Sequence, residues 1–128
     1  MTKQKRLLIV EDSPTQARAI AAYLSDDVDV VIATDGFQAL RIVAVEHPVL
    51  IILDVNLPKM DGIQVCRRLK RDPQTAHIPI IMLTAATSSE QREEGILAGA
   101  DRYILKGQDA TKELLEIIRL YKVVNHPM

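Results

Sequence analysis

The sequence predicts an α/β domain built as (βα)5, a doubly wound, five-stranded parallel sheet with helices on both faces. Three observations carry this. Apolar runs recur five times, at residues 6–10, 28–33, 49–53, 79–83 and 102–105. The first four are near-continuous rather than alternating, as in strands covered on both faces. Between the runs lie helix-start signals and apolar residues at helical spacing.

Taken in order, the first run leads to Ser13, with Gln16 three residues on and Pro14 between them. Ser and Gln at that spacing read as a capping box, and proline loses nothing at the first helical position. Ala17, Ile20, Ala21 and Leu24 then give that helix its apolar stripe. The run at 28–33 leads to Asp35/Gln38, the run at 49–53 to Asp61/Gln64 and the run at 79–83 to Ser88/Gln91, each a repeat of the same box. Gly99 closes the fourth helix. After the run at 102–105, Asp109 is expected to cap the last helix without a Gln partner, and Leu114, Ile117, Ile118 and Tyr121 form its inner face. No linker or repeat interrupts the series, so residues 1–128 are expected to be one domain with a core at about 5–122.

The chain has 128 residues and a formal net charge of -1, which supplies no basic field for nucleic acid. Aromatic residues are 3% and Trp is absent, against a base-stacking surface. No apolar run approaches bilayer length, and no charged-then-apolar leader opens the chain. The one cysteine excludes an internal disulfide and a Cys-based metal cage. These features together predict a cytoplasmic protein that does not touch membranes.

Parallel strands end on the same edge of a sheet, where open α/β sheets bind ligands. The first run ends in Glu11-Asp12, the third in Asp54, the fourth in Thr84 and the fifth in Lys106. Three carboxylates at one rim repel. Two unit charges about 4 Å apart interact by roughly 4 kcal/mol at an effective dielectric of about 20. Lys106 offsets part of this. An oxygen-only donor set suits a hard cation that keeps several waters, which predicts Mg²⁺. A cation beside a carboxylate, a lysine and a hydroxyl is a layout for phosphoryl transfer, with a carboxylate able to act as nucleophile. Neither a Walker loop nor G-x-G-x-x-G is present, so a donor other than a bound nucleotide is expected.

The motifs "LLIVEDS", "LIILDVNLPKMDG", "IPIIMLTA" and "AGADRYILKG", in this order and spacing, resemble the receiver domain of two-component response regulators, including its single-domain chemotaxis type. The resemblance covers about residues 5–121. It implies a flavodoxin-like sheet of order 2-1-3-4-5. It implies that Asp54 accepts a phosphoryl group from a histidine kinase or a histidine phosphotransfer protein. It makes Asp12 a direct Mg²⁺ ligand, Glu11 an acid that reaches the metal through water, and Asn56 the donor of a backbone carbonyl to it. Thr84 becomes the hydroxyl that bonds the phosphoryl group, Lys106 the lysine that pairs first with the acceptor and then with a phosphoryl oxygen, and Tyr103 the aromatic switch. Pro58 and Gly62 fit the loop after the acceptor, Ala85 the small residue that keeps the site open, and Ala86 joins Asn56 at positions that tune dephosphorylation. The family usually has a cis proline after the lysine. Here Gly107 follows, and a cis bond before a non-proline costs about 2.5–4 kcal/mol, so a trans bond is expected.

The function this implies is a phosphorylation-activated switch that reshapes the surface of the fourth helix, fifth strand and fifth helix for an output partner, by protein contact or through dimerisation. It would catalyse only its own phosphorylation and hydrolysis. One rival is a Mg²⁺-dependent phosphohydrolase with an aspartyl-phosphate intermediate. Such enzymes need a second acid close after the nucleophile, where this chain has Val55 and Asn56. The other rival is a receiver-like binding module that is never phosphorylated, which has no need of a complete acidic site. Output by a stand-alone regulator and output through an attached domain both remain open at this stage. Cys66 reads as a small core residue, His47, His77 and His126 as residues without a metal or relay role, and the basic run at 66–72 as a solvated helix face.

Overall fold

The computed structural model describes residues 5–24, 28–85 and 88–121; the tail at 123–128, with His126, and Ala86 lie outside them. Ten elements alternate: β1 (Arg6–Val10), α1 (Pro14–Ala22), β2 (Asp29–Ala33), α2 (Gly36–Glu46), β3 (Leu50–Leu53), α3 (Gly62–Arg71), β4 (Ile80–Thr84), α4 (Ser89–Leu97), β5 (Arg102–Leu105) and α5 (Ala110–Leu120). All pairs are parallel and the sheet order is β2-β1-β3-β4-β5. This is the order the resemblance implies.

The apolar runs resolve into two alternating faces. Leu7, Ile9, Leu50, Ile52, Ile81 and Leu83 join Ala17, Leu24, Leu114 and Ile118 in one core, under α1 and α5. Their neighbours Leu8, Val10, Ile51, Leu53, Ile80 and Met82 join Ala39, Val43, Val65, Cys66 and Leu69 in the other. Strand side chains alternate sides, so a run with no polar position must be covered twice. Burying each large aliphatic contributes roughly 1.5–3 kcal/mol, so the three central strands dominate the stability and leave their polar ends available for chemistry.

β2 departs from that reading. It is an edge strand paired only with β1, its first residue Asp29 is exposed and Ile32 is 37% exposed. Its continuous apolar composition reflects β propensity, not two-sided burial.

The helix starts follow the capping prediction in one half of each box. Ser13, Asp35, Asp61 and Ser88 each accept a bond from the backbone N–H three residues on. The reciprocal half is used differently at two of them: Gln38 Oε1 accepts from Thr34 N–H at 2.7 Å, and Gln16 Oε1 accepts from Lys106. Asp109 holds the N-cap position of α5 but makes no side-chain cap bond, because its backbone is near φ -98°, ψ 1° rather than extended.

Gly99 ends α4 as expected, at φ +108°. Gly99 N–H donates to Ile96 O and Ala100 N–H to Gly95 O, the paired bonds of a Schellman motif. A Cβ there would lie 2.8 Å from Lys70 Cγ. Gly99→Ala is therefore expected to destabilise the protein by about 1–3 kcal/mol in urea titrations; a change below about 0.5 kcal/mol would contradict the strain.

The basic run on α3 is only partly a solvated face. Arg68 and Arg71 are exposed. Lys70 instead turns in, donating to Ala76 O (3.1 Å) and Ile78 O (2.7 Å) and pairing with Asp101 at 3.0 Å. Its long stem crosses apolar surface and its ammonium ties the α3–β4 connection to the start of β5.

Candidate functional site

The register delivers the polar residues to one rim. Val10 pairs with both Ala33 and Leu53. The residues just past these ends stay bonded: Glu11 N–H donates to Ala33 O at 3.0 Å and Asp54 N–H to Val10 O at 3.1 Å. On the other side Thr84 pairs with Leu105, and Lys106 N–H donates to Thr84 O at 2.8 Å. Glu11, Asp54 and Thr84 are buried and Asp12 is exposed.

Lys106 Nζ bridges the acids. It lies 2.6 Å from Glu11 Oε1 and 2.8 Å from Asp54 Oδ2, and 2.5 Å from Gln16 Oε1. The second oxygen of each carboxylate has its own donor: Ser13 N–H reaches Glu11 Oε2 and Asn56 N–H reaches Asp54 Oδ1, both at 3.1 Å. Burial raises the Glu11 carboxyl above its ordinary range, and the bonds from Lys106 and Ser13 offset only part of this. Burial also acts against the Lys106 ammonium, but its bonds to Asp54 and Glu11 outweigh it and hold its pKa above the ordinary lysine value. The lysine stays charged.

One ligand oxygen from each of Glu11, Asp12 and Asp54 can be chosen so that all lie within 4.8 Å of one another. Three hard oxygens converging at this spacing fit a small divalent cation that completes its shell with water. Of the three, Asp12 lines a cleft that it shares with Asn56, Pro58, Asp61 and Gln91.

The loop that carries Asp54 is held by short bonds. Gly62 N–H and Leu57 N–H both reach Val55 O, Met60 N–H reaches Pro58 O at 2.7 Å, and Lys59 takes a left-handed φ of 70°. Gly62 abuts the Asp54 backbone, since a Cβ on it would lie 2.1 Å from Asp54 O. Ala85 is exposed beside Thr84. Tyr103 is half-buried on β5, with the Arg92 guanidinium 5.9 Å from its ring centroid. Its ring lies where a Cβ on Gly95 would meet it at 3.2 Å. The Lys106–Gly107 bond is trans, as no cis bond occurs among the described residues.

Sequence reasoning joined Glu11, Asp12, Asp54, Thr84 and Lys106; the structure clusters the three acids, sets Lys106 between Glu11 and Asp54, and joins Thr84 to Lys106 through the backbone. It missed Gln16, which the box spacing assigned to its own helix cap. The available signal was its place one turn past Asp12, on the helix that begins at the same rim.

No helix among the described residues is long and apolar enough to cross a membrane. A family model for the response regulator receiver domain matches residues 7–119. The chain is 37% identical over 118 residues to the DNA-binding dual master transcriptional regulator RpaA of Synechocystis sp., covering 91% of this chain and 49% of that protein. It thus spans about half the length of that relative. The BeF3-activated N-terminal receiver domain of Klebsiella pneumoniae RstA superposes with a TM-score of 0.82 at 37% identity, covering 91% of this chain and 97% of that one. The Mn²⁺-bound response regulator Rcp1 does so with a TM-score of 0.82 at 28% identity, covering 97% and 99%. Receiver domains are signalling domains that bind Mg²⁺ or Mn²⁺ in an acidic pocket and work with histidine kinases and output domains. With the matched sheet order and acidic rim already in place, the chain belongs to the response regulator receiver domain family of two-component signalling.

Proposed function

We propose that Asp54 is the phosphoryl acceptor of this switch and Lys106 its charge-neutralising partner. The observation that carries the reading is Lys106 Nζ bridging Glu11 and Asp54 at the carboxyl rim of the sheet. Glu11, Asp12, Asp54 and the Asn56 backbone carbonyl would hold Mg²⁺, which when bound offsets negative charge on phosphoryl oxygens.

In the transfer, an Asp54 carboxylate oxygen forms a bond to phosphorus as the phosphorus–nitrogen bond of a phosphohistidine breaks. The electron pair stays on the imidazole nitrogen, which leaves neutral when its other ring nitrogen carries the proton. Lys106 exchanges its Asp54 oxygen for a phosphoryl oxygen. Thr84 donates its hydroxyl to another, and Tyr103 turns with it. Ala85 and Pro58 keep the approach open, and Gly62 keeps the loop close. The added charge biases a two-state surface made by α4, β5 and α5. The donor is a histidine kinase or histidine phosphotransfer protein, and the readout is a downstream protein, an attached output domain or a phosphorylation-dependent dimer. We place this in the cytoplasm, with the domain acting as a switch on partners and turning over no external substrate. Val55 and Asn56, where a hydrolase would need its second acid, support that choice.

Incubation with acetyl phosphate and Mg²⁺ is expected to add one phosphoryl mass, which Asp54→Asn abolishes. An unchanged wild-type mass, or addition that survives the substitution, would overturn the assignment.

A further inference from the structure

We propose that Gln16 is a positioning residue for Lys106, its side-chain oxygen taking the third N–H of the ammonium and keeping the lysine aimed at Asp54. The proposal rests on the reading of Asp54 as phosphoryl acceptor. A lysine ammonium has three donors and no acceptor. Here Glu11 Oε1, Asp54 Oδ2 and Gln16 Oε1 take them, at 2.6, 2.8 and 2.5 Å. The three acceptors come from the end of β1, the end of β3 and the first turn of α1. The ammonium is thus fully coordinated, with one contact that is not part of the acidic cluster.

Two features separate this contact from a helix cap. The Gln16 backbone N–H already donates to Ser13 Oγ at 3.3 Å, so the side chain is not needed to start α1. With Lys106 and Gly107, Gln16 also lines a mostly apolar groove between α1 and α5, beside Ile20, Leu83 and Leu114. Apolar neighbours around the stem leave the amide head directed at the ammonium.

The amide is neutral. It offers the ammonium an oxygen acceptor on α1, outside the cluster of Glu11, Asp12 and Asp54. When Lys106 trades an Asp54 oxygen for a phosphoryl oxygen, the Gln16 bond is the one whose acceptor sits outside the acidic cluster. It limits the swing to that exchange. Side-chain packing after Lys106 adds no such restraint, because a Cβ on Gly107 would have nothing within 4 Å.

The test compares wild type, Gln16→Met, which keeps the side chain's length but removes the strong acceptor, and Gln16→Glu, which keeps the acceptor. In metal-free protein, the ¹⁵N-detected ammonium resonance of Lys106 is expected to be sharp in wild type and Gln16→Glu. In Gln16→Met it is expected to shift and broaden through faster exchange with water. With acetyl phosphate and Mg²⁺, Gln16→Met is expected to lower the maximal rate of phosphoryl uptake about fivefold, with the half-saturating donor concentration within about twofold of wild type. Gln16→Glu is expected to restore the maximal rate to within about twofold. A Lys106 resonance unchanged in Gln16→Met, or an equal rate loss in both variants, would overturn the proposal. Should wild type take up no phosphoryl group, the acceptor reading fails by itself, and the resonance still decides the Gln16 contact.

Discussion

Lys106→Met is expected to cost the metal-free protein about 3 kcal/mol of unfolding free energy. Removing one partner of a buried ion pair leaves the other charge uncompensated, which typically costs about 3–5 kcal/mol. The low end applies because the Lys106 side chain is 23% exposed, although Glu11 and Asp54 are 4% and 7% exposed. The deficit should grow with pH. Burial already holds the Glu11 carboxyl above its ordinary value, so between that value and the folded one the native state binds more protons than the unfolded state. Stability then falls as pH rises through this window. Loss of the neighbouring ammonium extends the window upward. A divalent cation replaces part of the missing charge, so Mg²⁺ should reduce the deficit, as a ligand of the native state alone does. Phosphoryl uptake should fall by about 10²–10³, the usual loss on removing an electrostatic stabiliser of developing charge. Urea titrations with and without Mg²⁺, and the double variant Asp54→Asn/Lys106→Met, measure the coupling directly. A deficit under about 0.5 kcal/mol without metal would mean that Glu11 and Asp54 tolerate each other unaided.

Much of this site was legible because strand ends in a parallel sheet share an edge. Once residues 6–10, 49–53 and 102–105 read as strands, Glu11, Asp54 and Lys106 had to converge, and the capping residues fixed where each helix begins to within a residue. The resemblance then supplied the strand order. What sequence could not give depends on contacts between distant segments. That β2 is covered less fully than the inner strands is a property of pairing, which an apolar run does not encode. Lys70 looked like one more charge in a basic run; its inward turn depends on carbonyls at Ala76 and Ile78 that only the folded α3–β4 connection presents. Gln16 matched a local rule so well that its long-range partner, 90 residues away, was hidden. Local patterns report local satisfaction, and a side chain that serves two levels shows only the nearer one.

Gly62→Ala is expected to disable the site without replacing any charged residue. Gly62 opens α3, and an alanine Cβ there would sit 2.1 Å from Asp54 O, 2.8 Å from Asp54 C and 2.9 Å from Val55 Cα. All three atoms are backbone, so no side-chain rotation relieves the overlap; the loop or the helix must move. Overpacking costs about 1–3 kcal/mol where side chains can yield, and about 3 kcal/mol or more is expected here. The movement has a direction, because two of the three obstructed atoms belong to Asp54, the proposed acceptor, and the third to the residue after it. Pushing the Asp54 backbone off Gly62 also strains the Gly62 N–H bond to Val55 O and the Asn56 N–H bond to Asp54 Oδ1, which together aim the carboxylate. A misplacement near 1 Å at a reacting group is enough to slow a reaction by about 10². Gly107→Ala is the matched control: a Cβ there meets nothing within 4 Å, and its stability should stay within about 0.5 kcal/mol of wild type. Urea titration and acetyl phosphate uptake on both variants decide the matter. If Gly62→Ala were as stable and as reactive as Gly107→Ala, the tight seat of α3 against the Asp54 backbone would not be what positions the Asp54 carboxylate.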